Sequence, residues 1–510
     1  MRKEIKMTNN NILDIGSRVE PFFDDWLISK ADGIKLQLHH PIPREIVLEF
    51  DSPWEGSSSS FASVFRDKDV YRMYYRGAAE HYETTPQGQT KEVSNVCYAE
   101  SSNGIHWTRP NLGLCKFEGS SQNNIVMLGR HDLDNGRPID DFFAFKDNNP
   151  QAKKEEQYKA ISNVSWKIWG GGIWGFASPD GIHWKRIQDT PLFTDHKEYD
   201  GPQGPACWDP HRKIYHAYLR SWAINEGKEV EGHMKHIKDF VEIYLRGENP
   251  ENYRENQYRS IRHSFSKDFV SWSEPKIVQF ENPLSMKEQY YTNSILPYFR
   301  APHILVGFPK RFAPFRQKNL SHPSPGVSDG GLITSRDGVN WKNWKEGFIR
   351  PGLDQKNWTD RNIITSFGMI ETAVGEISIY WNEHIKHRSC RLRRGTLRTD
   401  GFVSAHADYS GGQLITHPFL FEGKNLLINY STSAFGSMQV EVQNETGNPI
   451  KGFELEDCPT IYGDEIQHMV SWKTNPNLRS LSGRPIRLRF SLIDADLYSI
   501  QFSEKPGKKT

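Results

Sequence analysis

The sequence predicts an all-β protein, a five-bladed β-propeller followed by a C-terminal β-sandwich, and three observations predict it. A seven-residue pattern returns along the chain, "SSNGIHW" at 101–107, "SPDGIHW" at 178–184 and "SRDGVNW" at 335–341, with a degraded copy "SKDFVSW" at 266–272 and an echo "RTDGFVS" at 398–404. Between the copies lie five matched pairs of strand-like segments, at 62–77, from 141, at 205–221, at 293–311 and at 365–384. Beyond Gly411 the text changes to long alternating apolar and polar runs broken by Asn- and Asp-rich turns.

The repeat comes first. Asp or Asn before Gly marks a tight turn, because both residues tolerate the positive φ such turns need. Each copy follows a strand-like run ("SNVCYAE", "GGIWGFA", "RSIRHSF", "DGGLIT") and precedes a short extended one, so each unit reads as strand, turn, tryptophan, strand. A four-stranded blade takes roughly 40 to 50 residues, and these units are longer, which implies inserted loops. The inner strands read, in order, from "ASVFRDKDVYRMYYRG", "DFFAFKD", "PACWDPHRKIYHAYLRS", "NSILPYFRAPHILVGFPKR" and "TSFGMIETAVGEISIYWNEH". Five such pairs predict five blades. Residues 221–258 break the pattern with Glu, Lys, Asn and Arg and are expected to be a polar insertion, with a helix inside "EGHMKHIKDFVEIYLRG". The N-terminal "GIKLQLHHP" is expected to close the ring by pairing within the last blade, which would remove an exposed edge. From Gly411, "GKNLLINYSTSAFGSMQVEVQNETGNPIKGFELEDC" and "RPIRLRFSLIDADLYSIQFSE" read as sandwich strands. The expected domains are residues 15–410 and 411–505.

Composition narrows the function classes. Lys and Arg number 64 against 63 Asp and Glu, so no net field attracts nucleic acid or an anionic membrane. Cys97, Cys115, Cys207, Cys390 and Cys458 form no CxxC pair and read as isolated thiols. No run approaches the apolar length of a membrane span, and "MRKEIKMTNNNILDIGSRVEPFF" lacks the core of a signal peptide, so a cytoplasmic location is expected. No phosphate-binding loop, dinucleotide fingerprint, nucleophile elbow or metal-ligand spacing occurs, and no cofactor is expected. His39, His40 and His384 have no ligand partner at recognisable spacing.

The chemistry a propeller offers sits where its inner strands converge at one end of the axis. Carboxylates stand at those strand starts: Asp51 and Glu55, then Asp140 and Asp141 with Asp147 in the next turn, then Asp200 with Asp209 in a turn, then Glu288, then Asp360. Cleaving a glycosidic bond takes two carboxyl groups, one to protonate the leaving oxygen and one to act as nucleophile or to activate water. A third nearby carboxylate raises the pKa of the acid. Trp54, Trp208, Tyr290, Tyr291 and Trp358 lie beside the same starts and could stack on sugar rings. Arg76, Arg220, Lys310 and Arg311 are candidates for an anionic sugar substituent or phosphate.

"PFFDDWLISKADGIKLQLHHP", "CYAESSNGIHWTRPNLGL", the "SPDGIHW" turns and "RTDGFVSAHADYSGGQLITHPFLF" through "RPIRLRFSLIDADLYSIQF" together resemble bacterial proteins related to the five-bladed-propeller glycoside hydrolases, the invertase-like and arabinanase-like families. The resemblance spans almost the whole chain in organisation and is weaker at motif level. Those families carry three acidic residues, one from each of the first three blades. The resemblance implies Glu55 as base or nucleophile, Asp141 as modulator and Asp200 as acid. The chain departs from the invertase-like pattern in having no "NDPNG", and in the arabinanase-like pattern the third acid would fall nearer Gln203. The resulting expectation is a glycosidase acting on a poly- or oligosaccharide through Glu55, Asp141 and Asp200, with Trp54, Trp208, Arg220, Glu288, Tyr290 and Arg311 in contact with the substrate. The alternatives are a phosphorylase on the same scaffold, using Arg220, Lys310 or Arg311 for phosphate, and a carbohydrate-binding propeller without catalysis.

Overall fold

The computed structural model describes residues 12–79, 93–131, 139–164, 172–194, 204–224, 228–229, 258–320, 325–359 and 362–507. Asp200, Asp360 and the helix expected in "EGHMKHIKDFVEIYLRG" lie outside them, as does the side chain of Asp140. The chain is all-β. Five sheets follow one another, antiparallel except where Gln279–Phe280 joins sheet four alongside Asn340–Asn343. Sheet one holds Ser60–Asp67, Val70–Ala79, Val93–Ser101 and Ile125–His131, and sheet two Ile139–Lys146, Tyr158–Val164, Ile173–Ser178 and Lys185–Arg186. Sheet three is built on Ala206–Asp209, Ile214–Ile224, Tyr258–Ser266 and Lys276–Ile277, and sheet four on Leu296–Tyr298, Ala301–Gly307, Ile333–Ser335 and Asn340–Asn343. Gln289–Tyr290, Lys310–Ala313 and Val327–Gly330 form a small sheet of their own, its last two strands prolonging sheet four. Sheet five joins Ile370–Ala373, Glu376–Glu383 and Arg391–Arg398 to a strand from far upstream, Ile42–Glu49.

The repeats explain how these sheets meet. In each, the serine Oγ accepts the N–H three residues on, the Asp or Asn Oδ1 accepts the N–H three residues beyond itself, and the Trp indole donates to the carbonyl of the fourth residue. That fourth residue has positive φ throughout, 73° at Gly104, 79° at Gly181, 82° at Gly338 and 67° at Phe269. Each turn docks on the sheet before it. Tyr74 of sheet one donates its hydroxyl to the Gly181 carbonyl at 2.5 Å, and Tyr218 of sheet three to that of Gly338 at 3.2 Å. The first turn docks on the last sheet, where Tyr380 donates to the Gly104 carbonyl at 2.5 Å. The echo at 398–404 keeps the docking with different chemistry: Asp400 accepts from Tyr298 of sheet four at 2.6 Å.

The opposite ends of the sheets also adjoin in order. Phe61 meets Phe143 edge-on at 6.1 Å, Asn293 donates to the Tyr218 carbonyl at 2.9 Å, Ser294 donates to the Thr365 carbonyl at 2.8 Å, and before sheet five the Phe367 carbonyl accepts the Val64 N–H while the Phe367 N–H donates to the Ala62 carbonyl, both at 2.8 Å. One large apolar cluster runs through sheets five, one, two and three, and smaller ones lie between sheets one and two, three and four, and four and five.

The expected closing strand is displaced by a few residues. Ile34–Leu38 of "GIKLQLHHP" pairs with Val403–Ala407, and the strand that completes sheet five begins at Ile42. Pro41 lies between them and has no N–H to carry one ladder into the next. Ile34–Leu38 belongs with Leu13–Gly16, Val19–Pro21 and Ile28–Asp32 to a ten-stranded terminal sheet, completed by Val403–Ala407, Gly412–Thr416, Phe419–Phe421, Asn425–Asn444, Asp464–Met469 and Ile486–Ser503. Its two long strands pair along most of their length around one apolar cluster that includes stacked Phe421 and Phe502 and the edge-on pair Phe453 and Trp472. The chain therefore enters the terminal sheet at its beginning as well as from its end. The five cysteines are free, and all but Cys115 are buried.

Candidate functional site

Strand polarity defines two ends of the five-sheet assembly. The repeats occupy one end; at the other, first strands begin and second strands finish. At that second end the ladder of sheet two slips between Ile139 and Phe142, taking Asp141 out of regular pairing. Its side chain is 1 % exposed, and the Arg76 Nη1 stands 3.8 Å from its Oδ1. Arg76, at the close of sheet one's second strand, lies 5.0 Å over the Phe61 ring and donates to the Ser58 carbonyl at 3.1 Å. Ser57–Ser60 is pinned in turn by the Lys386 N–H on the Ser57 carbonyl and the Asn382 amide on the Ser59 carbonyl at 2.9 Å.

Sheets three and four bring a cationic group to the same end. Lys310 Nζ stands 3.7 Å from the Tyr291 ring centre, with the Arg259 and Arg220 guanidinium carbons at 4.6 Å and 5.2 Å. Arg259 also covers Trp222 at 4.6 Å and donates to Gln289 at 2.8 Å. All three cations are buried, Lys310 fully. An aromatic face attracts each of them, but three like charges at low dielectric repel, so anionic groups from the chain or from a ligand must balance them.

Glu55 is held by several protein partners. Its side chain is enclosed within sheet one, where Oε1 accepts from the Tyr75 hydroxyl at 2.5 Å and Arg109 Nε at 3.0 Å, and Oε2 from the Ser52 N–H and Arg109 Nη2 at 3.1 Å. Burial pushes its carboxyl up, against the pull of Arg109, Tyr75 and the Ser52 amide. Every acceptor position is committed to the protein. Trp54 beside it donates to Asn124 at 2.7 Å and packs edge-on against Phe117. Trp208 lies next to the far turn of its strand against Tyr215, ring centres 4.8 Å apart, away from the cationic end. Tyr290 is buried edge-on against Phe280. Asp147 is tied to Lys159 and the Tyr215 hydroxyl, both at 2.7 Å, and Asp209 to Arg212 at 2.6 Å. Those residues are committed to packing or ion pairs. Arg220 does reach the cationic end.

Glu288 and Arg311 come together elsewhere, on a cavity of about 640 Å³ beside the small sheet. Asp329 holds Arg311 through both oxygens at 2.7 Å, and Lys345 donates to Glu288 at 3.2 Å. Phe312 lines this cavity on one side and lies 5.5 Å beneath Arg259 on the other, which connects it to the cationic group. Arg259 and the Ser57–Ser60 run carry no sequence signal of a site. Nothing in their spacing distinguishes them, since their place depends on which strands become neighbours.

Among the described residues no group of three or more His, Cys, Asp or Glu side chains is placed to hold a metal ion, and no helix is long and apolar enough to cross a membrane. No protein-family profile matches the chain, and no curated protein matches it. Among solved structures the chain is similar to a family 43 arabinoxylan arabinofuranohydrolase from Bacillus subtilis in complex with cellotetraose, at 10 % identity over 91 % of this chain and 99 % of that one, with a TM-score of 0.41. It is similar also to a structure from the GH130 family of mannoside phosphorylases, which contains hydrolases that target β-1,2 mannosidic linkages in Candida mannan, at 14 % identity over 76 % and 99 % with a TM-score of 0.39. An N-acetylgalactosamine deacetylase from F. plautii, in complex with blood group B trisaccharide, matches at 14 % identity over 71 % and 95 % with a TM-score of 0.41.

Proposed function

We propose that the protein is a carbohydrate-active enzyme, a glycosidase whose five sheets are the blades of a β-propeller and whose reaction takes place at the end of the axis where the first strands begin. The cyclic docking of each repeat on the preceding sheet, with the first on the last, supports the five-bladed reading. The pairing supports a ring of residues 42–398 and a second, sandwich-like unit made from 12–38 and 403–505.

The observation that carries the functional reading is Asp141. It is a buried carboxylate outside regular pairing, beside an arginine, at the end where aromatic and cationic side chains from two further sheets converge. One carboxyl group there can protonate a glycosidic oxygen or assist attack on the anomeric carbon, and a second is required. Asp200 is our candidate for that second group, on its sequence position before sheet three. Glu55 is assigned the structural task of holding Arg109, because both its oxygens are already bonded. A second reading is favoured by the Lys310, Arg220 and Arg259 group on Tyr291, which suits phosphate: phosphorolysis in place of hydrolysis.

The test is product release from a panel of plant, algal and bacterial glycans, with and without inorganic phosphate, by wild type beside Asp141→Asn. A loss of at least about a hundredfold in the variant, with unchanged thermal stability, is expected of an acid, base or nucleophile. A sugar phosphate formed only when phosphate is present would select the second reading. Full activity of Asp141→Asn would remove Asp141 from the chemistry, and no product from any glycan would count against the glycosidase.

A further inference from the structure

We propose that the cavity beside the small sheet is a binding subsite for a sugar ring bearing an anionic group, a uronate or a sulfated sugar. This rests on the carbohydrate reading above and extends it to a substrate class. At about 640 Å³ the cavity has the size of a small-molecule site. Its walls are aromatic. Phe312, Phe315 and Trp358 line it, and the Trp358 indole N–H is held by the Gly352 carbonyl at 2.8 Å, which fixes the ring and leaves its faces for stacking.

The charges then choose the ligand. Two carboxylates and four basic side chains line the cavity. Asp329 is fully engaged by Arg311, the two bonds both 2.7 Å long. Glu288 pairs with Lys345 through Oε2, while its buried Oε1 stands 3.7 Å from Arg311 Nη1 and accepts no hydrogen bond among the described residues. That oxygen is suited to a sugar hydroxyl. Arg316 and Arg350 are exposed on the cavity wall, and no carboxylate among the described residues pairs with either. Guanidinium groups bind carboxylate and sulfate oxygens with matched, two-pronged geometry. An aromatic wall, one buried acceptor and two available guanidinium groups together fit a ring that is apolar on a face, hydroxylated at an edge and anionic at a substituent.

The experiment is calorimetric titration of the full chain with four probes: a galacturonate oligosaccharide, its carboxyl-reduced neutral counterpart, a sulfated galactan oligosaccharide and inorganic phosphate. Wild type, Arg316→Gln/Arg350→Gln and Trp358→Ala are compared, with Ala313→Trp as a variant that fills the cavity without touching its charges. At least one anionic oligosaccharide is expected to bind tenfold or more tightly than the neutral one, and which of the two does so identifies the substituent. The double variant should erase that preference, Trp358→Ala and Ala313→Trp should weaken all oligosaccharide binding, and added salt should reduce the preference in wild type. Equal affinity for anionic and neutral probes, or a preference intact in the double variant, would overturn the proposal while leaving the glycosidase reading standing. Phosphate binding as tightly as the oligosaccharides would reduce the site to a simple anion site and overturn the sugar. Should no glycan bind here and none be cleaved in the panel above, the carbohydrate reading falls with it.

Discussion

The hydroxyl of Tyr380, in the fifth sheet, donates to the backbone carbonyl of Gly104, in the first, at 2.5 Å, and joins the two ends of the five-sheet series. Trp107 stands edge-on to the same tyrosine with ring centres 6.0 Å apart, so the contact combines a buried hydrogen bond with aromatic packing. Gly104 is required there, since a Cβ would stand 3.3 Å from the hydroxyl and 2.7 Å from Ile370, in a residue whose φ is already 73°. Tyr380→Phe should cost about 1 kcal/mol, the net worth of one hydrogen bond, with the carbonyl left unsatisfied adding somewhat more. Tyr380→Ala should cost about 3–5 kcal/mol from the cavity left behind. Urea denaturation measures both, and a Tyr380→Ala loss no larger than that of Tyr380→Phe would show that the ring packing contributes nothing to closure.

The third repeat departs from the others in a compensated way. The ladders set the repeat serine opposite Tyr71, Tyr158 and Tyr215 in the first three sheets, and three residues further along stand Tyr74, Ile161 and Tyr218. Tyr74 and Tyr218 bond the glycine of the next repeat; Ile161 has no donor, and the next repeat carries Phe269 where the glycine would be. Both are fully buried in one apolar cluster. Phe269→Gly alone should lose about 3–5 kcal/mol of packing, offset in small part by relief of its positive φ. In an Ile161→Tyr background the same change should cost less, and a double-mutant cycle in urea should give a coupling of at least about 1 kcal/mol. Additive losses would mean the two positions are independent.

Much of this architecture was legible because it is local. The repeat declares its own turn, since Ser, Asp or Asn, Gly and Trp satisfy one another within seven residues, and the strands on either side follow from it. What the sequence could not show is which strands become neighbours at long range. Ile42–Glu49 and Ile34–Leu38 are both strand-like, and only the assembled structure assigns one to sheet five and the other to the terminal sheet. The same limit applies to the site. Glu55 and Asp141 look alike in sequence, each an acid before an inner strand, yet one is enclosed by Arg109 and Tyr75 and the other lies beside Arg76.

The terminal sheet is fastened to sheet four by a titratable pair. Glu20, 1 % exposed, meets Arg336 of the fourth repeat at 3.1 Å, with His303 and Arg18 as further partners, and Asp24 holds the other side of Arg336 at 2.7 Å. Burial raises the Glu20 pKa, but Arg336, His303 and Arg18 outweigh it and bring it down to about 2. A carboxyl group depressed in the folded state binds protons more readily when unfolded, so its stabilisation is complete above the unfolded value and is lost as pH falls from about 4.5 toward 2. Thermal midpoints should fall through that window in wild type and fall less in Glu20→Gln, which starts lower at pH 7. Parallel curves for the two proteins would exclude Glu20 as the source.

The Glu55 and Arg109 pair lets the roles proposed for Glu55 and Asp141 be tested against each other. Glu55 is fully enclosed and Arg109 a quarter exposed, so removing the cation leaves a buried charge without its partner. Arg109→Ala should therefore cost about 3–5 kcal/mol, and Glu55→Gln with Arg109→Met together should cost clearly less than the sum of the single changes. Because burial already pushes the Glu55 carboxyl up, the Arg109→Ala protein should take a proton there, and its loss should shrink as pH is lowered toward 5. If Glu55 holds structure and Asp141 acts on substrate, Glu55→Gln at a temperature where it stays folded keeps its turnover number while Asp141→Asn does not. A folded Glu55→Gln protein without activity would return Glu55 to the reaction and make Arg109 the group that sets its protonation.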